Sequence, residues 1–362
     1  MSSLIVEVCN VDSVIKHPNA DKLSIVGIKG FNCVVGLNQY KVNDLVVFVP
    51  PDCIIPLDLI EKYNLEYLKK HGRTETIKLR GAVSQGLILN LPDGNWKVGD
   101  DVSGVLNIKK WMPPEAPVMR GVNQTSKKKM NPLFDKYTDI ENIKHYKRLF
   151  KDGDFVTITE KIHGANARYS NLEICINSDQ PFFDRMINLF QKYILKKTHQ
   201  FVYGSHNVQI TSNANRNSFY GTDVWGKIAE RYNLAKIIPE DMIIYGEIFG
   251  DNIQDLKYGM KNEIDFRVFD IKLKGVYLNW SDVLDFSSKL NLKTVPELYY
   301  GIFYDGVIEK YTSGKSLIDK NQMREGIVCK TAIEEKHPLI GRKILKSISE
   351  EYLLRKDGSE YQ

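Results

Sequence analysis

This chain is poor in cysteine, in tryptophan and in long apolar runs. Its 362 residues include five cysteines and four tryptophans. Cys9, Cys33, Cys53, Cys175 and Cys329 stand far apart, and no CxxC pair occurs. That spacing argues against a zinc knuckle and for a reduced, intracellular protein. No apolar run reaches membrane-spanning length, and no basic-then-apolar leader opens the sequence. The expectation is a soluble, cytoplasmic chain with no membrane partner. A phosphate-cradling GxxxxGK[ST] loop is missing too. Gly314-Lys315-Ser316 lacks the upstream glycine because Glu309 stands in its place. Charge of one sign is not in large excess: 50 Lys+Arg against 45 Asp+Glu leave a net +5. Such a balance is compatible with a phosphate-rich partner without demanding one. Internal repeats and low-complexity tracts are also absent.

What remains is a globular composition, 43% hydrophobic, in a chain long enough for two domains. Leu4–Val8, Leu23–Ile28, Phe31–Val35, Leu45–Val49 and Gly86–Leu91 are short β-type runs. Turn residues at His17–Asp21, Lys29–Gly30, Pro50–Asp52 and Pro92–Gly94 separate them, which predicts a small barrel over 1–112. Residues 113–132 read as an extended linker, with Pro113, Pro114, Pro117, Pro132 and the run Lys127–Lys129. A second domain, 133–362, then follows. Spacing near 3.6 predicts helices over Thr138–Phe150, Asp184–Lys197, Asp223–Leu234 and Ser281–Leu290, with Ser281 as an N-cap. In Asp184–Lys197 the stripe Met186, Phe190 and Tyr193 reads as a core contact.

The chemistry concentrates in Thr159–Arg168, TEKIHGANAR. An alternating strand from Phe155 leads into Lys161, which stands before a His163-Gly164 turn with Asn166 behind it. A lysine is unreactive as ammonium, since its free pKa is about 10.4. Burial and neighbouring cations would activate it as a nucleophile. Three further regions follow: Tyr245–Gly250 (YGEIFG), Phe266–Leu273 (FRVFDIKL), and Arg324–Lys330 (REGIVCK) with Gly341–Ser349 (GRKILKSIS). Each segment carries a fixed charge, namely Glu247, Asp270, Glu325 and Lys346. Carboxylates and lysines converging from strands of one sheet suit a metal-bound polyphosphate.

Taken in order, KIHGAN, YGEIFG, RVFDI, EGIVCK and the terminal lysine segment resemble motifs I, III, IIIa, IV and V of the covalent nucleotidyltransferases. KxHGxN with FD in the RVFDI segment is most similar to RNA ligases that seal nicks in duplexes. VIKHPNADKL (Val14–Leu23) resembles the opening of tRNA-binding OB folds. LRGAVSQGLIL (Leu79–Leu89) resembles the end of the OB module in the fifth family of ATP-dependent RNA ligases. The resemblance implies an α+β protein: an N-terminal OB-like barrel, then an adenylyltransferase domain of antiparallel sheets flanked by helices. It implies ATP and Mg2+ or Mn2+ as cofactors, and RNA or an RNA-containing nicked duplex as partner of a monomeric enzyme. Lys161 would be the nucleophile that becomes lysyl-AMP, served by Glu247, Glu325 and Lys346. Glu160, Ile162, Asn166, Arg168, Glu247, Phe269, Lys330, Lys343 and Lys346 would bind the nucleotide. Among these, Glu160 would receive the adenine amino group and Phe269 would stack on adenine. Glu247 and Glu325 would hold the metal through water.

Two departures stand out. RNA ligases of this type usually end with two lysines separated by one residue; here Ile344 stands two before Lys346, and the second lysine is Lys343. A 5′-phosphate-binding arginine is also missing from Gly204–Asn207, GSHN, which offers His206, so Arg168 or Arg216 would have to compensate. Rival readings explain less. Capping guanylyltransferases and DNA ligases carry an OB domain after motif V, and DNA ligases typically have KxDG. A non-catalytic RNA-binding protein on a ligase-like core predicts loss of Lys161 or the acids, and all are present.

Overall fold

A computed structural model describes residues 6–69, 72–111, 131–176, 182–210 and 222–355. The expected linker up to residue 130, with Lys127–Lys129, and also Arg216 lie outside the described residues. The chain divides into two compact units. One comprises Met1–Glu115, Glu141–Arg148 and Ile348–Gln362; the other comprises Ala116–Ile140 and Leu149–Ser347. All five cysteines are free thiols. No described helix is long and apolar enough to cross a membrane.

The first unit is mostly β. Strands β1 (Glu7–Asn10), β2 (Ser13–Lys16), β3 (Leu23–Ile28), β4 (Phe31–Gly36) and β5 (Leu45–Val49) come first. After them come β6 (Cys53–Ile54), helix α1 (Leu57–Lys62), β7 (Thr76–Leu79), β8 (Ala82–Gln85), β9 (Leu87–Leu89) and β10 (Lys109–Lys110). They pair as β1-β5-β9, β2-β3-β4, β7-β8 and β6-β10. Alternation decides which side is core: Val26 and Ile28 of β3 and Phe31 and Cys33 of β4 point inward. The β3–β4 turn places Lys29 and Gly30 at φ +52° and +81°, the left-handed pair that a two-residue hairpin loop requires. Five strands here, β2, β6, β7, β8 and β10, lie outside the β runs expected from the sequence.

The helix expected over Thr138–Phe150 is not formed. Glu141–Asn142 is a short strand, β11, and Ile143–His145 is one 3-10 turn. Asn142 Oδ1 accepts the Lys144 N–H at 3.0 Å, a local bond that competes with a continuous helix.

The second unit holds two antiparallel sheets. One runs β23-β20-β12-β19, from β12 (Phe155–Lys161), β19 (Glu297–Ile302), β20 (Gly326–Thr331) and β23 (Ile344–Ile348). The other runs β15-β14-β13-β16-β17-β18. Its strands are β13 (Ala165–Glu173), β14 (His199–Gly204), β15 (Gln209–Ile210), β16 (Met242–Gly250), β17 (Ile264–Leu273) and β18 (Val276–Tyr277). A small hairpin, β21 (Lys336–His337) and β22 (Gly341–Arg342), precedes β23.

Period-two alternation gives the six-stranded sheet two distinct faces. Ala165, Ala167, Tyr169, Ile244 and Ile248 face a core closed by helices, with Trp225 and Ile228 on one and Trp280 and Val283 on another. The opposite face carries Tyr245 and Ile243, which pack with Ile344 and Val328 of the first sheet. The sheets therefore meet face to face inside this unit. Helix α2 (Phe182–Leu189) continues as a π turn, Phe190–Ile194. Its expected core stripe faces outward: Met186, Phe190 and Tyr193 are 50%, 53% and 68% exposed. Among the described side chains of this helix the buried one is Asn188, whose amide donates to the Cys175 carbonyl and anchors the helix by a hydrogen bond. The helix expected over Asp223–Leu234 is α3 (Val224–Arg231), with Asp223 as its N-cap, and the short α4 (Leu234–Ile237) follows. In α5 (Trp280–Lys289) the N-cap is Asn279, with Ser281 already inside the helix. Helices α6 (Val307–Thr312) and α7 (Glu350–Leu353) complete the described elements.

Candidate active site

Lys161 is the last residue of β12, and Ile162–Gly164 is the turn that carries the chain from one sheet to the other. Register fixes which residues accompany it. Lys161 lies opposite Gly326, Thr159 opposite Val328 and Thr157 opposite Lys330. Directly paired residues share a face, so these six look toward the second sheet. From that sheet, Asn166 lies opposite Glu247 and Arg168 opposite Tyr245, on the face turned back toward them.

Gly164 makes the approach of Glu247 feasible. A Cβ there would stand 2.1 Å from the Ile248 carbonyl oxygen and 3.0 Å from Glu247 Cγ. Without one, the Gly164 N–H donates to the Glu247 carboxylate. Lys161 Nζ donates to Glu325 Oε1 at 2.7 Å. His163 Nδ1 is 3.7 Å from Glu325 Oε2, and its Nε2 is 2.5 Å from Asp255 Oδ1. The cations expected around Lys161 are replaced by carboxylates, so it rests as half of an ion pair.

The two acids titrate in opposite directions. Burial pushes Glu325 up, but Lys161 and His163 outweigh it and hold its carboxyl below the ordinary value. Burial raises Glu247, with Glu325 adding to the rise, to about 8 despite Lys161 and the Gly164 N–H. Glu325 Oε2 and Asn166 Oδ1 are buried with no hydrogen-bond partner. Unspent oxygens beside two carboxylates form a hard-ligand set, which fits hydrated magnesium or manganese. Among the described residues no three His, Cys, Asp or Glu side chains form a ready cage. Waters and substrate phosphates would have to complete the coordination.

Lys346 belongs to this face. It is buried in β23 two residues after Ile344, and Ile344 packs between the sheets. The same alternation turns Lys343 away. Its Nζ pairs with Asp154 at 2.8 Å and Glu335 at 3.3 Å, and Asp154 precedes the far end of β12. Lys343 thus lies on the other face from Lys161 and Lys346, in an ion pair with Asp154. Lys330 shares the face of Lys161 but lies four residues away along the strand, roughly 13 Å. It is buried in an ion pair with Asp270, 3.2 Å away, and Asp270 accepts hydrogen bonds from Tyr137 and Arg342 at 2.8 Å. A lysine committed to that network is structural.

Arg168 is likewise spent. It is fully buried, with Nε donating to the Ser205 carbonyl and Nη1 to the Phe134 carbonyl, both at 2.8 Å. It anchors the GSHN turn and does not present a free fork to phosphate. His206, in that turn, is 3.5 Å from Asp139. Glu160 points to the opposite face from Lys161, where its Oε2 accepts the Leu317 N–H at 2.8 Å. It supports the Ser316–Leu317 backbone there, and burial raises its carboxyl. Ile162 is buried in the helix-covered core and fixes the turn. Phe269 is half-buried on the inter-sheet face. It is the extra residue of a bulge, between pairs Tyr245–Asp270 and Gly246–Val268, and meets Tyr137 edge-on at 4.8 Å.

Sequence reading missed two residues at the turn, Asp255 and Tyr258. The Tyr258 hydroxyl accepts the His163 N–H at 2.7 Å. Both sit in a loop without periodicity, and the Tyr258-Gly259 dipeptide signals only a turn.

An RNA ligase family model matches residues 154–348, more than half of the chain, and an OB-fold domain model matches residues 5–91. No curated protein matches the sequence. Among solved structures, a lysine-to-alanine mutant of Naegleria gruberi RNA ligase with ATP and Mn is similar at TM-score 0.67 and 24% identity. The alignment covers 97% of this chain and 98% of that one. The Naegleria gruberi ligase with pyrophosphate gives 0.67 at 23%, over 97% and 98%. A glutamate-to-alanine mutant with AMP and Mn gives 0.68 at 23%, again over 97% and 98%. At such identity the likeness speaks for the fold: an OB-fold domain preceding a nucleotidyltransferase fold. The ligase family model spans the strands that carry Lys161, Glu247, Glu325 and Lys346, and on that match the chain belongs to the RNA ligase family of enzymes.

Proposed function

We propose that the protein joins a 3′-hydroxyl to a 5′-phosphate at nicks in RNA-containing duplexes, using ATP and a divalent cation. The observation that carries this reading is Lys161 Nζ, 2.7 Å from Glu325 at the end of β12 and next to Glu247. Freed of its proton, the Lys161 amine attacks the α-phosphorus of ATP. A P–N bond forms, the bond to the leaving pyrophosphate breaks, and lysyl-AMP results. An RNA 5′-phosphate oxygen then attacks the same phosphorus and Lys161 leaves. The 3′-hydroxyl attacks the adenylylated end and AMP departs. Lys346, on the shared face, supplies positive charge for the α-phosphate. Glu247, Glu325 and Asn166 would be the oxygen donors for a hydrated magnesium or manganese ion, which would neutralise phosphate charge when bound. Naegleria gruberi RNA ligase with ATP and Mn supports the same cofactor pair here.

The test is labelled ATP with magnesium. The protein should acquire a label that survives SDS and is lost in acid, as a phosphoramidate is. Lys161→Ala should abolish it with the fold intact. A labelled Lys161→Ala variant removes the nucleophile assignment, and labelling by GTP in place of ATP favours a capping-type enzyme.

A further inference from the structure

Tyr258 is the most strained bulky residue close to Lys161, and it touches the turn that ends β12. Its φ is +51°, in the left-handed region, a conformation a large side chain keeps only where its surroundings over-determine it. Three contacts do so. Its hydroxyl accepts the His163 N–H at 2.7 Å. Its own N–H donates to Gln322 Oε1 at 3.1 Å. Its ring meets Phe249 edge-on at 5.2 Å, and the residue is 3% exposed. Gln322 is in turn built into the backbone that leads to Glu325: its carbonyl accepts the Ser316 N–H at 2.9 Å, and its N–H donates to the Asp319 carbonyl at 3.0 Å. Three residues before Tyr258, Asp255 holds the His163 ring.

We infer that Tyr258 is a positioning residue, which fixes the direction in which β12 ends and so aims Lys161 relative to Glu325. It joins three segments that are far apart in the sequence: the β16–β17 loop, the lysine turn, and the Ser316–Glu325 segment. The hydroxyl acts on the His163 backbone and does not reach reacting atoms. Removing it leaves Lys161, Glu247 and Glu325 in place but lets the turn fluctuate. Near-attack geometry is sensitive to displacements of about 1 Å, so the loss should fall on the chemical step.

The activity part of the test rests on the ligase reading; the backbone part does not. Tyr258→Phe keeps the ring and deletes one hydrogen bond. In the full-length protein, the His163 amide should exchange with solvent about tenfold faster, with the thermal midpoint lowered by no more than a few degrees, as the loss of one such bond predicts. The maximal rate of lysine labelling at saturating ATP should fall about tenfold, with the half-saturating ATP concentration unchanged. Unaltered His163 exchange in Tyr258→Phe overturns the inference. So does a labelling defect that appears only in half-saturation or only as a lower thermal midpoint, because either is what a merely structural tyrosine would give. A wild-type protein that takes no label refutes the proposed activity instead, and the His163 exchange rate still decides the role of Tyr258.

Discussion

Glu247 and Glu325 are the same side chain held on opposite sides of its ordinary pKa, and the difference is Lys161. Glu325 takes the 2.7 Å bond and stays ionised, while Glu247 meets burial and its neighbour's negative charge and is raised to about 8. A carboxyl raised in the folded state lends stability that is complete below its ordinary value of 4.5 and is lost as pH rises through about 8. Glu247→Gln does not titrate and can still accept the Gly164 N–H. Its thermal midpoint should match wild type below pH 4.5 and exceed it by a growing margin up to about pH 8. A margin independent of pH would mean that Glu247 is already ionised at neutral pH. The rise also bears on catalysis: a cation held by Glu247 and Glu325 competes with a proton at Glu247. Adenylylation should therefore need less magnesium as pH rises toward 8, measured as the half-saturating magnesium concentration of lysine labelling.

Strands rather than helices carry the chemistry, and the period of two sorts it. Asp270 shows the structural side of that arrangement. It is fully buried on β17 and receives Tyr137, Arg342 and Lys330 from other segments. Burial pushes its carboxyl up, and Lys330 and Arg342 more than reverse the effect, so its contribution to stability persists above the ordinary aspartate range and is lost as pH falls through the lowered value. Asp270→Asn leaves two buried cations short of charge, and should cost about 3–5 kcal/mol, read from the urea midpoint. A loss under about 1 kcal/mol would show that Glu334 alone suffices for Arg342. The motif segments were legible because each is a short apolar run with one fixed charge, and β12, β16, β17, β20 and β23 fall on them. Alternation also explains where reading by resemblance failed. Lys343 is one position out of phase with Ile344 and Lys346, so no shift short of a register slip brings it inward. The partners of the lysine turn were not legible, because Tyr258 and Asp255 reach it through a loop. The outward stripe Met186, Phe190 and Tyr193 shows the limit of periodicity: spacing identifies a face but not which way it turns.

At the scale of the whole molecule, net charge is only +5 on 362 residues, so an RNA substrate is held by local clusters and not by a global field. Binding of a nicked duplex should weaken log-linearly with salt, with a slope set by the few phosphates contacted. A nick with RNA on the 3′-hydroxyl side should be sealed faster than an all-DNA nick, since the 2′-hydroxyl marks RNA at that end. Equal single-turnover rates on the two nicks would sink the RNA preference while leaving the ligation chemistry standing. The smaller unit is drawn from three separated stretches: Met1–Glu115, Glu141–Arg148 and Ile348–Gln362. Within it the Lys78 ammonium donates to the Leu354 carbonyl at 3.1 Å. A ribosome therefore releases the barrel strands long before the stretch that finishes their unit, a delay on the order of tens of seconds at typical synthesis rates. The barrel's apolar clusters, drawn from residues 6–108, can close in that interval, and the last stretch is added to them afterwards. The smaller unit is thus finished last, and a genetic fusion or tag that hinders residues 348–355 should lower its stability before it touches any catalytic group.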